Sequence, residues 1–161
     1  MKVGTPGYIS AWIGTYDKAR QLTVYETLFI LSKNLMTLAG RDWMHAQLYT
    51  NTSAGTQGAR YIAVSETTSV PDDSWTTLTG EITTGGLARA AASPNPTHVA
   101  GTNVTITEKT FTASANFPNT QVVGLFNASS SGTLAHVGRF TQVANVQNGQ
   151  NLRVLCTINH G

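Results

Sequence analysis

Charge is what this chain has least of: 11% of its 161 residues are Asp, Glu, Lys or Arg, against roughly 25% in ordinary soluble domains. The net charge is only +2, and the ten Lys and Arg are scattered. That leaves no basic stripe of the kind a nucleic-acid binder needs, so no direct nucleic-acid contact is expected. Cysteine is nearly absent too. The single Cys156 excludes an internal disulfide and gives no sign of oxidising export; it reads as a small core residue. No apolar run approaches the roughly 18 residues of a membrane span, and the N-terminus lacks a basic-then-apolar leader pattern. The expectation is a protein made in a cytoplasm, with no membrane partner.

Thr, Ser, Asn and Gly fill the space that charge leaves, so the surface is expected to be polar but uncharged. A chain of this length fits one domain that buries about two-thirds of its unfolded surface. Residues 1–22 read as an extended N-terminal arm in which Gly4, Pro6, Gly7 and Gly14 interrupt Tyr8, Ile9, Trp12, Ile13 and Tyr16. So many large apolar side chains in a glycine-broken segment need a surface to dock on, either their own domain or a neighbouring subunit. Residues 23–161 read as the domain proper. Within it, Val24, Leu28, Leu31, Leu35 and Leu38 recur at spacings of four and three, which predicts a helix over 24–39. Thr23 and Glu26 would cap its start and Gly40 would stop it.

After the helix the period changes to two. Trp43 to Tyr49 alternates as a strand, Asn51 to Gly58 reads as a mobile loop, and the stretch from Tyr61 to Ala92 reads as two strands joined by a long polar connection around Pro71-Asp72-Asp73. Further strands are expected at Thr97 to Thr107, Thr110 to Ala115, Gln121 to Asn127, Leu134 to Val143 and Asn151 to Asn159, with Asn148-Gly149 the strongest hairpin signal. About eight short strands predict a mainly β protein, an antiparallel β-sandwich or jelly roll.

Residues that could carry chemistry do not gather. His45, His98, His136 and His160 share no metal-ligand spacing with Cys, Asp or Glu. Glu66 with Asp72-Asp73 resembles a loose carboxylate cluster, but Asp side chains bonding their own turn explain it better. The glycines of Thr83-Thr84-Gly85-Gly86 and Ser131-Gly132 fit turns, not a phosphate loop. No serine lies in a G-x-S-x-G elbow. Sequons at Asn51, Asn103 and Asn127 would matter only in a secretory pathway. No catalysis, cofactor or metal is expected.

Three segments carry a resemblance: Leu78-Thr79-Gly80-Glu81-Ile82, Gly85 to Ala90 (GGLARA), and Gly124 to Ser129 (GLFNAS). In this order, after a strand and a proline-containing loop, they resemble small β-rich virion structural proteins of tailed bacteriophages, of the decoration or tail-associated type. The likeness covers roughly residues 42 to 161. It implies assembly and not catalysis: a capsid decoration or cement protein, homo-oligomeric, that binds major capsid or other virion proteins and stabilises the shell. The alternative it implies is a tail-fibre or baseplate component that recognises host-surface carbohydrate. Either way the protein would reside in the virion after assembly in the host cytoplasm. Candidate interface residues are Tyr8, Ile9, Trp12, Ile13 and Tyr16 of the arm and Trp75 of the polar connection. Glu81 and Arg89, the most regularly placed charges of these segments, are expected to pair across the Gly85-Gly86 turn.

Overall fold

A computed structural model describes residues 8–17, 22–40, 58–98 and 104–159. They form nine strands: β1 (Tyr8–Asp17), β2 (Leu22–Met36), β3 (Tyr61–Ser65), β4 (Ala90–Ala91), β5 (Thr97–His98), β6 (Val104–Thr112), β7 (Phe117–Phe126), β8 (Leu134–Val146) and β9 (Asn151–Asn159). Every pairing is antiparallel, in the order β4-β3-β7-β8-β2-β1-β9-β6-β5. β2 serves two sheets. It pairs with β1 from Leu22 to Lys33, then with β8 at Asn34, Leu35 and Met36. A first sheet, β2-β1-β9-β6-β5, therefore continues into a second, β8-β7-β3-β4, through one long strand, as at the corners of packed sheets. The mainly β, antiparallel, sandwich-like architecture is the expected one.

Alternation decides which residues meet between the sheets. Leu152, Val154, Cys156 and Ile158 of β9 face inward with Ala11 of β1 and Phe111 of β6. Ile62 and Val64 of β3, Val123 and Leu125 of β7, and Phe140, Ala144 and Val146 of β8 come from the other side. Each fully buried aliphatic here contributes about 1.5–3 kcal/mol of transfer free energy.

The second sheet is unusual in burying its outer face as well. Ala63, Val122, Phe126, Leu134 and Val137 form a second cluster with Leu78, and Tyr61 and Trp75 pack against it. Hence the uninterrupted burial of β3 from Ile62 to Ser65 and of β7 from Thr120 to Phe126. The cover is the connection between Glu66 and Gly80, which is tied down along its length. Arg139 donates to Thr68 O (2.9 Å), Leu38 N–H to Asp73 O (2.7 Å), Asn119 N–H to Glu66 Oε1 (3.1 Å) and Ser65 Oγ–H to Thr79 O (2.5 Å).

Both sheet edges are finished by consecutive pieces of one strap. β4 pairs with β3 at the edge of the second sheet; the chain crosses through a cis Ser93-Pro94 bond; β5 pairs with β6 at the edge of the first. Ala92 N–H bonds Arg60 O (2.7 Å) and the adjacent Ser93 N–H bonds Glu108 O (2.8 Å), one residue to each sheet. The two strands are short: β5 pairs only with Thr105 and Ile106 of the nine-residue β6, and Ser93 adds one further bond to it at Glu108.

Four expectations change. The helix over 24–39 is a strand: its leucines have helical spacing, but Val24, Tyr25, Phe29 and Ile30 favour extended backbone, and neighbouring strands take up its hydrogen bonds. Thr23 and Glu26, the expected cap, lie in β2 instead, in register with Tyr16 and Ile13 of β1. Among the described residues a helical turn appears only at Leu38, Ala39 and Gly40. Gly40 is required there by close approach, since a Cβ would lie 2.3 Å from Ala135 O. The extended arm is likewise corrected over residues 8–17, which are β1, paired on one side with β2 and on the other with β9.

The turn at Asn148-Gly149 exists, with Gln150 N–H to Gln147 O at 3.0 Å and Gly149 at φ 82°, but it joins β8 to β9, which lie in different sheets. It is an arch, not a hairpin. The connection from β6 to β7 is a second arch, and the two brace each other through Ala113 N–H to Gln150 O (2.9 Å) and Gly149 N–H to Ala113 O (2.8 Å). Finally, the strands expected at 97–107 and 110–115 are redrawn, because β6 runs unbroken from Val104 to Thr112 in register with β9. The strand expected at Trp43 to Tyr49 and the loop from Asn51 lie outside the described residues, as do residues 1–7 and 18–21.

The turn from Thr84 to Leu87 docks on the β6–β7 arch, with Gly85 at φ 63° and Gly86 at φ 83° and Ser114 N–H donating to Gly85 O (2.8 Å). A Cβ on Gly86 would lie 1.9 Å from Thr112 O, whereas one on Gly58 meets nothing within 4 Å. Gly86→Ala is therefore expected to cost about 2–5 kcal/mol from left-handed strain plus overpacking. Gly58→Ala should stay within about 0.5 kcal/mol of the parent in urea melts. Thr107 and Thr120 are fully buried and their hydroxyls lack a hydrogen-bond partner. Replacing either by the similarly shaped valine should stabilise by about 1 kcal/mol, read from the urea midpoint; a lower midpoint would show that the hydroxyl is satisfied.

Candidate functional site

The three segments that carry the sequence resemblance meet at one corner of the second sheet. Glu81 enters it by bridging Ser65 at the end of β3, and Ile82 N–H bonds Val64 O (2.9 Å). The Gly85-Gly86 turn then reverses the chain and brings Arg89 back beside Glu81. Arg89 Nε donates to Glu81 Oε1 (2.8 Å) and Nη2 to Oε2 (2.5 Å), a two-pronged ion pair whose side chains are only 11% and 18% exposed. The expected pairing of these two residues is thus present.

The same guanidinium does three more things. It lies over the Phe126 ring, 3.4 Å from the centroid, and Nη1 donates to Ser131 O (2.6 Å) and Ala128 O (3.3 Å). Arg89 therefore ties the 81–89 turn to the loop after β7, which sequence reading treats as a plain turn. Asn127 shapes that loop from inside: its Oδ1 accepts Thr133 N–H (2.7 Å), and Gly132, at φ 76°, leaves room that a Cβ would close at 2.5 Å from Asn127 Oδ1. Gly124 is small for a related reason, because a Cβ would lie 2.9 Å from Leu134 Cδ1 and 3.3 Å from Leu78 Cδ2. Glycines, Glu81, Arg89, Phe126 and Asn127 all build this corner. Beside it lies a depression of about 310 Å³ lined by Glu81, Arg89, Thr83 and Ser129 to Ser131, with Ala88 adding an apolar spot.

A matching pair sits on the outer face of the first sheet. Arg153 of β9 holds Glu108 of β6 through Nε to Oε1 (2.6 Å) and Nη2 to Oε2 (2.9 Å), and its guanidinium lies 5.0 Å from the Trp12 ring centroid. Trp12 and Arg153 are register partners between β1 and β9.

The interface candidates are accordingly spread apart. Trp12 is half-buried on that outer face, Ile13 packs against the central core, and Trp75 packs on the far cluster of the second sheet. Tyr8, Ile9 and Tyr16 are placed by register opposite Thr157, Cys156 and Thr23.

The loop carboxylates have local roles. Asp72 Oδ1 accepts Ser74 N–H (2.9 Å), Trp75 N–H closes the turn on Asp72 O (3.2 Å), and the bonds from the Ser74 side chain and backbone hold the Asp72 carboxyl below its usual range. Among the described residues no three of His, Cys, Asp and Glu gather as a metal site. His136 is buried in β8, while His45 and His160 fall outside the described residues. Burial pushes the Cys156 thiol up to about 12, so at neutral pH it is a packed apolar group without nucleophilic character.

Arg89→Met leaves Glu81 partly buried without its partner and frees the Ser131 loop, which should lower stability by about 2–3 kcal/mol. Arg89→Lys should recover little of this, since an ammonium can neither grip a carboxylate with two parallel bonds nor stack flat on Phe126. A Lys variant as stable as the parent in thermal melts would show that charge alone is what matters. No family model, curated protein or solved structure matches this chain.

Proposed function

We propose that this chain is a bacteriophage virion structural protein, a capsid decoration or cement subunit that binds the assembled shell and stabilises it. The observation that carries the reading is the convergence of the three resembling segments, 78–82, 85–90 and 124–129, on the single corner held by Arg89. The three segments touch in space and so build one folded unit, as the resemblance would require of them. Charge distribution supports the same reading. Glu81 and Arg89, Glu108 and Arg153, Glu66 and Arg139 are all engaged inside the molecule. These are six of the chain's 18 charged residues, and with charge at only 11% of the chain hydroxyls and amides supply most of its polar groups, which suits a subunit packed among neighbours.

The mechanism is linkage. A copy that binds the assembled shell and not its separated subunits stabilises the shell by RT ln(1 + [L]/Kd) per site, about 2.7 kcal/mol at a hundredfold excess over Kd. The partners are the major capsid protein and other copies of this chain. β1 belongs to the body of the sandwich, so removing residues 1–20 would unfold the domain and cannot test whether the interface candidates of that segment touch the shell.

The test is to add purified full-length protein to phage shells that lack it. Co-sedimentation with shells and a higher shell melting temperature, rising with protein concentration, is the expected result. Failure to sediment with shells, or sedimentation with isolated tails alone, would overturn the decoration role; the second outcome would favour the tail-associated one.

A further inference from the structure

The depression beside Arg89 has a chemistry that nothing in shell attachment requires. Its lining includes four exposed hydroxyl residues, Thr83, Ser129, Ser130 and Ser131, together with the partly buried Glu81–Arg89 pair. The two charges cancel. A bound anion would gain from the guanidinium but meet the carboxylate, and a cation the reverse, so neither is favoured. A neutral ligand rich in hydroxyl groups meets no such opposition. It can donate to the lone pairs of Glu81 that Arg89 leaves open, and both donate to and accept from the serine and threonine hydroxyls.

Size and shape agree. A volume of about 310 Å³ is at the small end of ligand pockets and takes one or two sugar rings. Most of the surface facing the depression is carbon, from Ala88 and from the methylene and methyl groups of the other lining side chains, and can sit against the C–H face of a pyranose.

The loop is also held in place before any ligand arrives. Arg89 Nη1 bonds Ser131 O at 2.6 Å, Asn127 bonds Thr133, and Ser131, although it bears a side chain, is kept at φ 53° beside Gly132. A serine where glycine would be unstrained, exposed and on the rim of a depression, is backbone strain of the kind that accumulates at binding sites. A loop backbone held in place beforehand lowers the entropy cost of binding.

We propose that this depression is a binding site for a neutral saccharide of the hexopyranose class, either free in solution or as a unit of a neutral polysaccharide. Few contacts are available in a site this shallow, so the affinity for a single sugar is millimolar. The role is independent of shell attachment and is tested without shells.

The experiment is an amide-detected NMR titration of the full chain with methyl glucoside, methyl galactoside and methyl mannoside, with glucuronate and inorganic phosphate as anionic arms. A neutral polysaccharide is tested in parallel by co-precipitation. Saturable shifts at Thr83, Ser129, Ser130 and Ser131 with at least one neutral glycoside are expected, and Ser130→Trp, which fills the depression from an exposed position, should abolish them while the rest of the spectrum stays unchanged. Polysaccharide co-precipitation lost in the same variant would assign the ligand to a polymer, and its absence to free sugar. The proposal is overturned if no neutral glycoside shifts these amides at tens of millimolar, if the anions shift them more strongly, or if Ser130→Trp leaves the shifts intact.

Discussion

The second sheet of this protein buries side chains on both faces, and most of the remaining structure follows from that. Ile62, Val64, Val123 and Leu125 fill the space between the sheets, while Ala63, Val122 and Phe126 point the other way and would be wet without a cover. A chain with little charge has few ways to make such a face soluble. It covers it with its own loop from Glu66 to Gly80, pinned by Leu78 and Trp75 from within and by Arg139, Leu38 and Asn119 around the rim. Where that loop ends, Arg89 closes the corner, gripping Glu81, lying on Phe126 and holding two carbonyls of the next loop. Glu66, Glu81, Arg89 and Arg139 are thus placed where they do structural work that apolar groups cannot.

Much of this was legible in the residues. The strict alternation of Leu152, Val154, Cys156 and Ile158 declares β9 and its buried face, and the pairing of Glu81 with Arg89 follows from their spacing about two glycines. Other parts resist reading for physical reasons. In β2, leucines at i, i+3 and i+4 coexist with β-branched and aromatic residues, and only pairing with β1 and then, at 34–36, with β8 decides for the strand. Asn148-Gly149 announces a reversal, yet turn chemistry is local and cannot say that the next strand joins the other sheet. The two-faced burial had a visible signal. Val122-Val123-Gly124-Leu125-Phe126 is apolar without alternation, which in a strand means cover on both sides. The stacking of Arg89 on Phe126 had none, because it joins residues far apart in the chain.

The functional reading depends on the same corner. Leu-x-Gly-Glu-Ile, Gly-Gly-Leu-Ala-Arg-Ala and Gly-Leu-Phe-Asn-Ala each make sense as parts of one construction: glycines where a Cβ has no room, one acid and one arginine to lock the turn, one ring beneath the guanidinium. Such segments define a folded module. A module low in charge, whose acids and arginines are largely engaged with one another, suits a place among like neighbours on a particle.

The most direct measurement is a cryo-electron microscopy reconstruction of an intact particle that carries this protein. The decoration role predicts density for the two-sheet domain on the outside of the shell, in many symmetry-related copies, each touching the major capsid protein. Density for it confined to the tail, or none on the particle at all, would contradict that role.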